Sequence, residues 1–193
     1  MNEHLLMLGR FVRSPRTVGA VMPSSRALAL AMVRELDLSG PTQVVELGPG
    51  TGVVTRVIAE RLGPKAHVLA VDVEPAFVAA ITSRFPRIEA VCASAADLAT
   101  LLKSRGTFPV DHIVSGLPFA SLPGDVTATI LDAVSASLRP GGTFTTFQYV
   151  SGYPTPLAAS FRRAMTSRMG AGPSRRVVWR NVPPAFVLTW RHQ

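Results

Sequence analysis

The stretch Val44-Val45-Glu46-Leu47-Gly48-Pro49-Gly50-Thr51-Gly52 constrains this chain more than any other. Its first half reads as a buried parallel strand, set by two β-branched residues. Gly48, Gly50 and Gly52 then remove Cβ atoms where the backbone has to turn sharply and approach a ligand, and a helix follows. The next strand-like run, Ala66–Asp72, ends in an acid. A glycine turn after one strand and a carboxylate closing the next is how an α/β sheet holds an adenosine: the turn passes under the ligand and the acid takes the ribose hydroxyls.

The spacing discriminates between adenosine ligands. A dinucleotide fingerprint is Gly-x-Gly-x-x-Gly, with amides at a helix N-terminus cradling a pyrophosphate. Here it is Gly-x-Gly-x-Gly with Glu46 just before it. A carboxylate at that point repels a pyrophosphate and suits a ligand that carries an ammonium and a sulfonium, as S-adenosylmethionine does. A nucleotide site and a purely structural turn are the competing readings, and Glu46 with Asp72 favours the methyl donor.

Composition narrows the field. The 193 residues suit one domain with a helical appendage, and at 47% hydrophobic the chain has material for a full core. Cys92 is the only cysteine, which rules out a disulfide framework and a thiolate metal cluster; it is expected as a small buried residue on the third strand. Histidines at 4, 67, 112 and 192 lack ligand spacing, so no metal is expected. No apolar run has the length of a membrane span and no signal-peptide pattern opens the chain, which fits a reducing, cytoplasmic setting. The net charge of +8 is uneven: residues 151–193 hold no acid but contain Arg162, Arg163, Arg168, Arg175, Arg176, Arg180 and Arg191. Such a field attracts nucleic acid or an acidic membrane surface, with plain solubility as the bland alternative.

From Gln43 onward, strand-like runs near 43–47, 66–72, 88–92, 110–115 and 142–149 alternate with helix-like runs near 53–62, 75–85, 96–105 and 124–138. That alternation predicts a Rossmann-like, mostly parallel sheet. After a basic helix near 155–169, the runs 175–180 and 185–191 predict an antiparallel hairpin at the sheet edge, making seven strands. Residues 1–39 read as a unit outside the core at 40–193. In it, Met1, Leu5, Leu8 and Val12 form an apolar stripe, widened by Phe11 and flanked by Arg10 and Arg13. This helix either packs on the core or lies in a lipid headgroup layer, where Leu5, Leu8, Arg10, Phe11 and Arg13 make the contact. A second helix near Ser25–Leu36 puts Ala29, Met32, Val33 and Leu36 on one core-facing side.

Ligands of open α/β sheets sit at the carboxyl ends of the strands. Asp111 and His112 open the fourth strand and His67 the second, so all three belong at the wrong end. Ser115-Gly116-Leu117-Pro118-Phe119 leaves the fourth strand at the right end, and Tyr149 closes the fifth there. Leu117, Pro118, Phe119 and Tyr149, with Tyr153, therefore make up the expected acceptor pocket. Enzymes that methylate exocyclic amines of bases carry Asn or Asp before a Pro-Pro or Leu-Pro pair; Ser115 and Gly116 supply no such group.

With these segments in hand, the chain resembles the soluble bacterial phospholipid N-methyltransferases, of the class I methyltransferase fold. Val18–Ser25 resembles that family's segment after the first helix, and Val45–Gly52 its methyl-donor turn, which ribosomal RNA adenine dimethyltransferases share. Ser115-Gly116-Leu117-Pro118 is similar to its motif after the fourth strand, and Arg176–Ala185 to its terminal hairpin. The resemblance implies S-adenosylmethionine held by Glu46, Gly48, Gly50, Thr51, Gly52, Asp72 and Val73, by Ser94, Ala95 and Asp97, and by Ser115, Gly116 and Leu117. It implies methylation of phosphatidylethanolamine up to three times, to phosphatidylcholine, with the first helix and the lid docked on anionic lipid at the inner face of the cell membrane. RNA adenine methylation and another amino lipid or small amine are the alternative acceptors. One departure stands out: relatives carry Gly-Asp-Ala after the third strand, the Asp bonding the adenine amine, whereas this chain has Ser94-Ala95-Ala96, with Asp97 or Ser94 as substitutes.

The acceptor amine must lose a proton before methyl transfer. With a lysine-like pKa of about 10, reaching the free base at neutral pH costs roughly 4 kcal/mol. Burial beside a sulfonium lowers that pKa. Tyr149 is the candidate catalytic residue, assisting proton loss to water, and with Phe119 it can hold a methylated ammonium by cation–π contact; ordinary packing is the alternative for both rings.

Overall fold

The glycine turn is positioned by the strand before it, which lies in the middle of a seven-stranded sheet. In the computed structural model, which describes residues 24–193, the strands are β1 (Gln43–Leu47), β2 (His67–Asp72), β3 (Glu89–Cys92), β4 (Val110–Ser115), β5 (Leu138–Tyr149), β6 (Ser174–Val178) and β7 (Ala185–Arg191). Their order is β3-β2-β1-β4-β5-β7-β6, and only β7 and β6 introduce antiparallel pairs. The helices are α1 (Arg26–Met32), α2 (Val53–Arg61), α3 (Pro75–Arg84), α4 (Leu98–Ser104), α5 (Gly124–Ser137) and α6 (Pro156–Met169). The segment read as a first amphipathic helix, with Leu5, Leu8, Arg10, Phe11 and Arg13, lies outside the described residues.

The period of two along each strand sends alternate side chains to two cores. Val45, Leu47, Ile113, Phe144 and Trp190 pack under α4, α5 and α6. Val44, Val68, Ala70, Val114 and Val187 pack under α1, α2 and α3. Because β1 pairs with β2 on one side and β4 on the other, its residues 44–47 are buried on both faces. Leu28, Ala29, Met32, Val33 and Leu36, around α1, join the second core beside Val54, Val57 and Ile58 of α2. Ser25 caps α1 by accepting from the Leu28 amide at 3.1 Å, and Thr155 caps α6 from the Ala158 amide at 3.3 Å.

Two local expectations change. Strand β5 starts at Leu138, upstream of residue 142: Leu138 pairs with Val110, and the register slips before Thr143 pairs with His112. Pro140 and the two glycines after it hide this start, being residues that weaken a strand signal. Cys92 is exposed, its thiol 3.6 Å from the Val73 carbonyl oxygen, because β3 is the edge of the sheet and is only half covered.

Phe144 is fully buried, with ring centroids 5.9 Å from Trp190 and 6.2 Å from Phe119. Phe144→Ala should therefore destabilise the protein by about 3–5 kcal/mol, read as a lower urea midpoint.

Candidate functional site

The active edge begins where β1 and β4 end. The Gly116 amide donates to the Leu47 carbonyl at 2.8 Å, and the Gly48 amide donates to Val71 at 2.9 Å, so the two exits are tied to the sheet and to each other. A Cβ on Gly116 would lie 2.7 Å from the Gly48 carbonyl oxygen, and one on Gly48, at φ +69°, would lie 2.8 Å from Leu117 Cδ2. These contacts leave room for hydrogen only. At Gly50, also at positive φ, a Cβ would meet nothing within 4 Å. The crest of the turn thus borders open space while its flanks are packed, which is the shape of a cradle.

Asp72 stands at the rim of this cradle. It is buried, and its carboxylate accepts from the Gly50 amide at 3.3 Å and the Glu74 amide at 3.0 Å. Burial raises its pKa; the amides of Glu74, Gly50 and Val73 oppose that shift. Glu46 lies in the central strand on the α2 side, flanked in register by Ala70 and Val114. Burial pushes its carboxyl up to about 7, and Thr55 in the first turn of α2 pulls the other way. Neither Glu46 Oε2 nor Thr55 Oγ1 has a partner at hydrogen-bonding geometry. The site thus combines a buried acid with one unpartnered oxygen below the turn, a second acid at its rim and open space at its crest. These residues fit a ligand with a hydroxylated ribose and a cationic tail.

The segment after β3 supplies less. Ser94 is buried and spends its hydroxyl accepting from the Ala96 amide at 3.2 Å. Ala95, where the resemblance implies an acid, is 4% exposed and packs in the core. Asp97 is exposed at the end of a 3-10 turn, Ala95–Asp97. Thr51 is exposed and its carbonyl accepts from Arg84 at 2.8 Å, while Val73 packs against the first core.

Among the described residues the expected acceptor side chains divide between the two cores, Leu117, Phe119 and Tyr153 on one and Tyr149 on the other. Ser115 is fully buried and accepts from the Leu117 amide at 3.2 Å; Leu117 is half-buried over Gly48, and Pro118 is exposed. Phe119 is a correction. The tight turn at Leu117–Phe119 carries its ring into the core, where it stacks on Phe161 at 4.6 Å, the ordinary packing that is the alternative reading for this ring. Tyr149 is half-buried on the α1 and α2 face, edge-on to Phe147 at 5.5 Å. Tyr153 packs against the opposite core, under the Arg162 guanidinium at 3.7 Å and edge-on to Phe186 at 4.7 Å. The two tyrosines are therefore separated by the sheet. Burial raises the Tyr149 phenol above its ordinary value, which favours its protonated form.

Some features escape a reading of the sequence. Arg26, Arg56 and Arg84, from three different helices, line a cavity of about 240 Å³ with Gly52 and Val53 at the start of α2. Arg26 is also held by Glu60 through two bonds of 2.8 and 2.7 Å. Arg162 ties Gln148 Oε1 at 2.7 Å to the Tyr153 carbonyl at 2.8 Å. None of these groupings has a signature in sequence spacing. At the opposite edge, Asp111 accepts from the Gln43 amide and His112 meets Thr143 at 2.8 Å, away from the turn. Among the described residues no group of three His, Cys, Asp or Glu is placed to hold a metal ion, and no helix is long and apolar enough to cross a membrane.

Known proteins match both the sequence and the fold. A family model described as a methyltransferase domain matches residues 44–142. An ornithine lipid N-methyltransferase of Singulisphaera acidiphila is 34% identical over 147 residues, which is 75% of this chain and 77% of that one. The 1,6-didemethyltoxoflavin-N1-methyltransferase of Burkholderia thailandensis, solved with its substrate and S-adenosylhomocysteine, superposes with a TM-score of 0.70 at 21% identity, covering 99% of this chain and 88% of that one. The N-methyltransferase NodS of Bradyrhizobium japonicum gives 0.64 at 15% identity, over 85% and 93%. The two solved structures share the Rossmann-like class I fold, with its mostly parallel seven-stranded sheet and antiparallel C-terminal strands.

Glu46 makes stability depend on pH. Its folded pKa, about 7, exceeds its ordinary value of 4.5, so the native state binds more protons between them. The contribution is fully present below the unfolded pKa and is lost as pH rises through the folded one, on the order of 3 kcal/mol across the window. Urea unfolding of the ligand-free protein should show this decline, and Glu46→Gln should flatten it.

Proposed function

Because this chain belongs to the S-adenosylmethionine-dependent methyltransferases, we propose that it methylates the primary amine of a membrane amino lipid, phosphatidylethanolamine first among them. We further place it peripherally at the inner face of the cell membrane. The observation that carries the lipid assignment is the 34% identity, over three quarters of both chains, with a lipid N-methyltransferase. The likeness of Ser115–Pro118 and of the β6–β7 hairpin to phospholipid N-methyltransferases supports phosphatidylethanolamine in particular. In phosphatidylethanolamine and ornithine lipid alike the acceptor is a primary amine presented at a bilayer surface.

S-adenosylmethionine, when bound, supplies an electrophilic methyl group on a sulfonium. Gly48, Gly50 and Gly52 would seat it, Asp72 would take its ribose hydroxyls, and Glu46 would offset its positive charge from below the turn. The two amides on Asp72 hold that carboxylate in place, so little reorganisation accompanies binding. Leu117 and Pro118 would wall the acceptor side. Tyr149, at the end of β5, would orient the amine: its oxygen accepts a hydrogen bond from the ammonium until the proton passes to water. Val73 and Thr51 would line the donor through their backbone, and Ala95 would contribute shape alone.

Two experiments test this reading. Purified protein with methyl-labelled donor and vesicles should label phosphatidylethanolamine, with more product when anionic lipid is present. Label in ornithine lipid alone moves the acceptor within the amino-lipid class; label in RNA and in no lipid overturns the proposal. In a separate measurement, Asp72→Ala should weaken donor binding by calorimetry about tenfold or more, as expected for losing hydrogen bonds to a charged group.

A further inference from the structure

We infer that the tip of the β6–β7 hairpin is a lipid-inserting wedge, with Trp179 and Val182 entering an anionic bilayer so that the edge carrying the glycine turn faces the headgroups. The inference rests on the amino-lipid reading above and extends it to a surface no sequence comparison assigns.

Trp179 is 70% exposed and Val182 71%, the two most exposed large apolar side chains among the described residues. Single exposed apolar residues are ordinary; these two flank one turn. The turn is pinned. Asn181, between them, is 2% exposed, accepts from the Ser25 amide at 2.9 Å and donates to the Pro183 carbonyl at 2.7 Å. Asn181 is held inward by these bonds while Trp179 and Val182 on either side of it stay exposed, so an anchored tip presents an indole and a valine to solvent. Its place in the fold is equally specific. Tyr149 pairs with Ala185 and the Val150 amide donates to Pro184, which sets the tip beyond the C-terminal end of β5, on the edge where β1 turns. Leu157, 64% exposed, opens α6 on that same edge.

Charge identifies the occupant. Residues 151–193 carry seven arginines and no acid. Arg168 is paired with Asp132, Arg191 with the Gly141 carbonyl, Arg162 with Gln148, and Arg175 lies over Tyr153 and Phe186. Arg163, Arg176 and Arg180 are exposed, and none has a carboxylate partner among the described residues. An exposed indole and aliphatic side chains with Arg180 in the same turn, and Arg176 and Arg163 unpaired on the adjoining β6 and α6, match the interface of an anionic bilayer, where each such charge strengthens binding about fivefold. RNA offers bases to stack on Trp179 but nothing for Val182 or Leu157.

The chain has only two tryptophans, and Trp190 is fully buried with its indole N–H donating to Thr166 at 3.0 Å. Emission changes on adding vesicles therefore report Trp179. The full-length protein would be titrated with vesicles of phosphatidylethanolamine and phosphatidylglycerol bearing brominated acyl chains. A blue shift with quenching is expected, and Trp179→Ala with Val182→Ser should weaken vesicle binding about tenfold, Trp179→Phe restoring most of it. The buried Trp190 emission, unchanged in the Trp179→Ala protein, verifies the fold. Binding to vesicles with no change in Trp179 emission overturns the wedge and leaves the amino-lipid reading standing. Quenching by brominated chains without any methylated lipid supports the wedge and sinks that reading. A response to RNA and none to vesicles overturns the wedge.

Discussion

Everything at the active edge depends on the contact between the exits of β1 and β4, where Gly116 touches the Gly48 carbonyl oxygen. Two strands that leave a sheet side by side normally diverge as their loops claim volume. Here both loops are stripped to backbone at the point of contact, and the Gly116 amide closes a hydrogen bond across it. Leu117 is thereby laid over the turn, Ser115 is sealed beneath it, and Gly50 is left as the part of the turn that borders open space. A cradle of this kind owes its shape to close packing on three sides, so its geometry is set before any ligand arrives.

The second organising fact is the two-faced sheet. Residues that adjoin at the edge of the strands are assigned to opposite sides by the pleat and by the loops that follow. Tyr149 faces the helices that carry the glycine turn, whereas Phe119 and Tyr153 belong to the other core. The three rings therefore pack against different cores. Glu46, Thr55, the start of α2 and Tyr149 share one side of the sheet. Arg26, Arg56 and Arg84 add a basic cleft there, so the glycine turn is bordered by positive charge as well as by the acids Glu46 and Asp72.

Most of the fold was legible in the sequence because strands buried on both faces leave continuous apolar runs with sharp Gly, Pro and Asp boundaries. The glycine turn, Asp72 and the terminal hairpin were read from such signals. What was missed needed three-dimensional information. The start of β5 is masked by Pro140 and its glycines, and Cys92 looks like a core residue until β3 is seen to be the edge. The sense of Phe119 depends on how a three-residue turn closes. The arginine cleft draws on helices separated by some thirty residues at each step, for which no local pattern exists.

The alanine after β3 has a consequence for selectivity. A pocket that bonds the exocyclic amine of a base rejects analogues lacking that amine far more strongly than a pocket of matching shape does, since an unpaired buried acid is costly. With the Ala95 methyl in the core, any such checkpoint in this chain falls to the exposed Asp97 carboxylate or to Ser94. On the proposed reading the chain tells its donor from other sulfonium nucleosides more by ribose and tail than by the purine edge. Donors altered at the six-position of the ring are then expected to lose less affinity here than at a site with an acid at position 95.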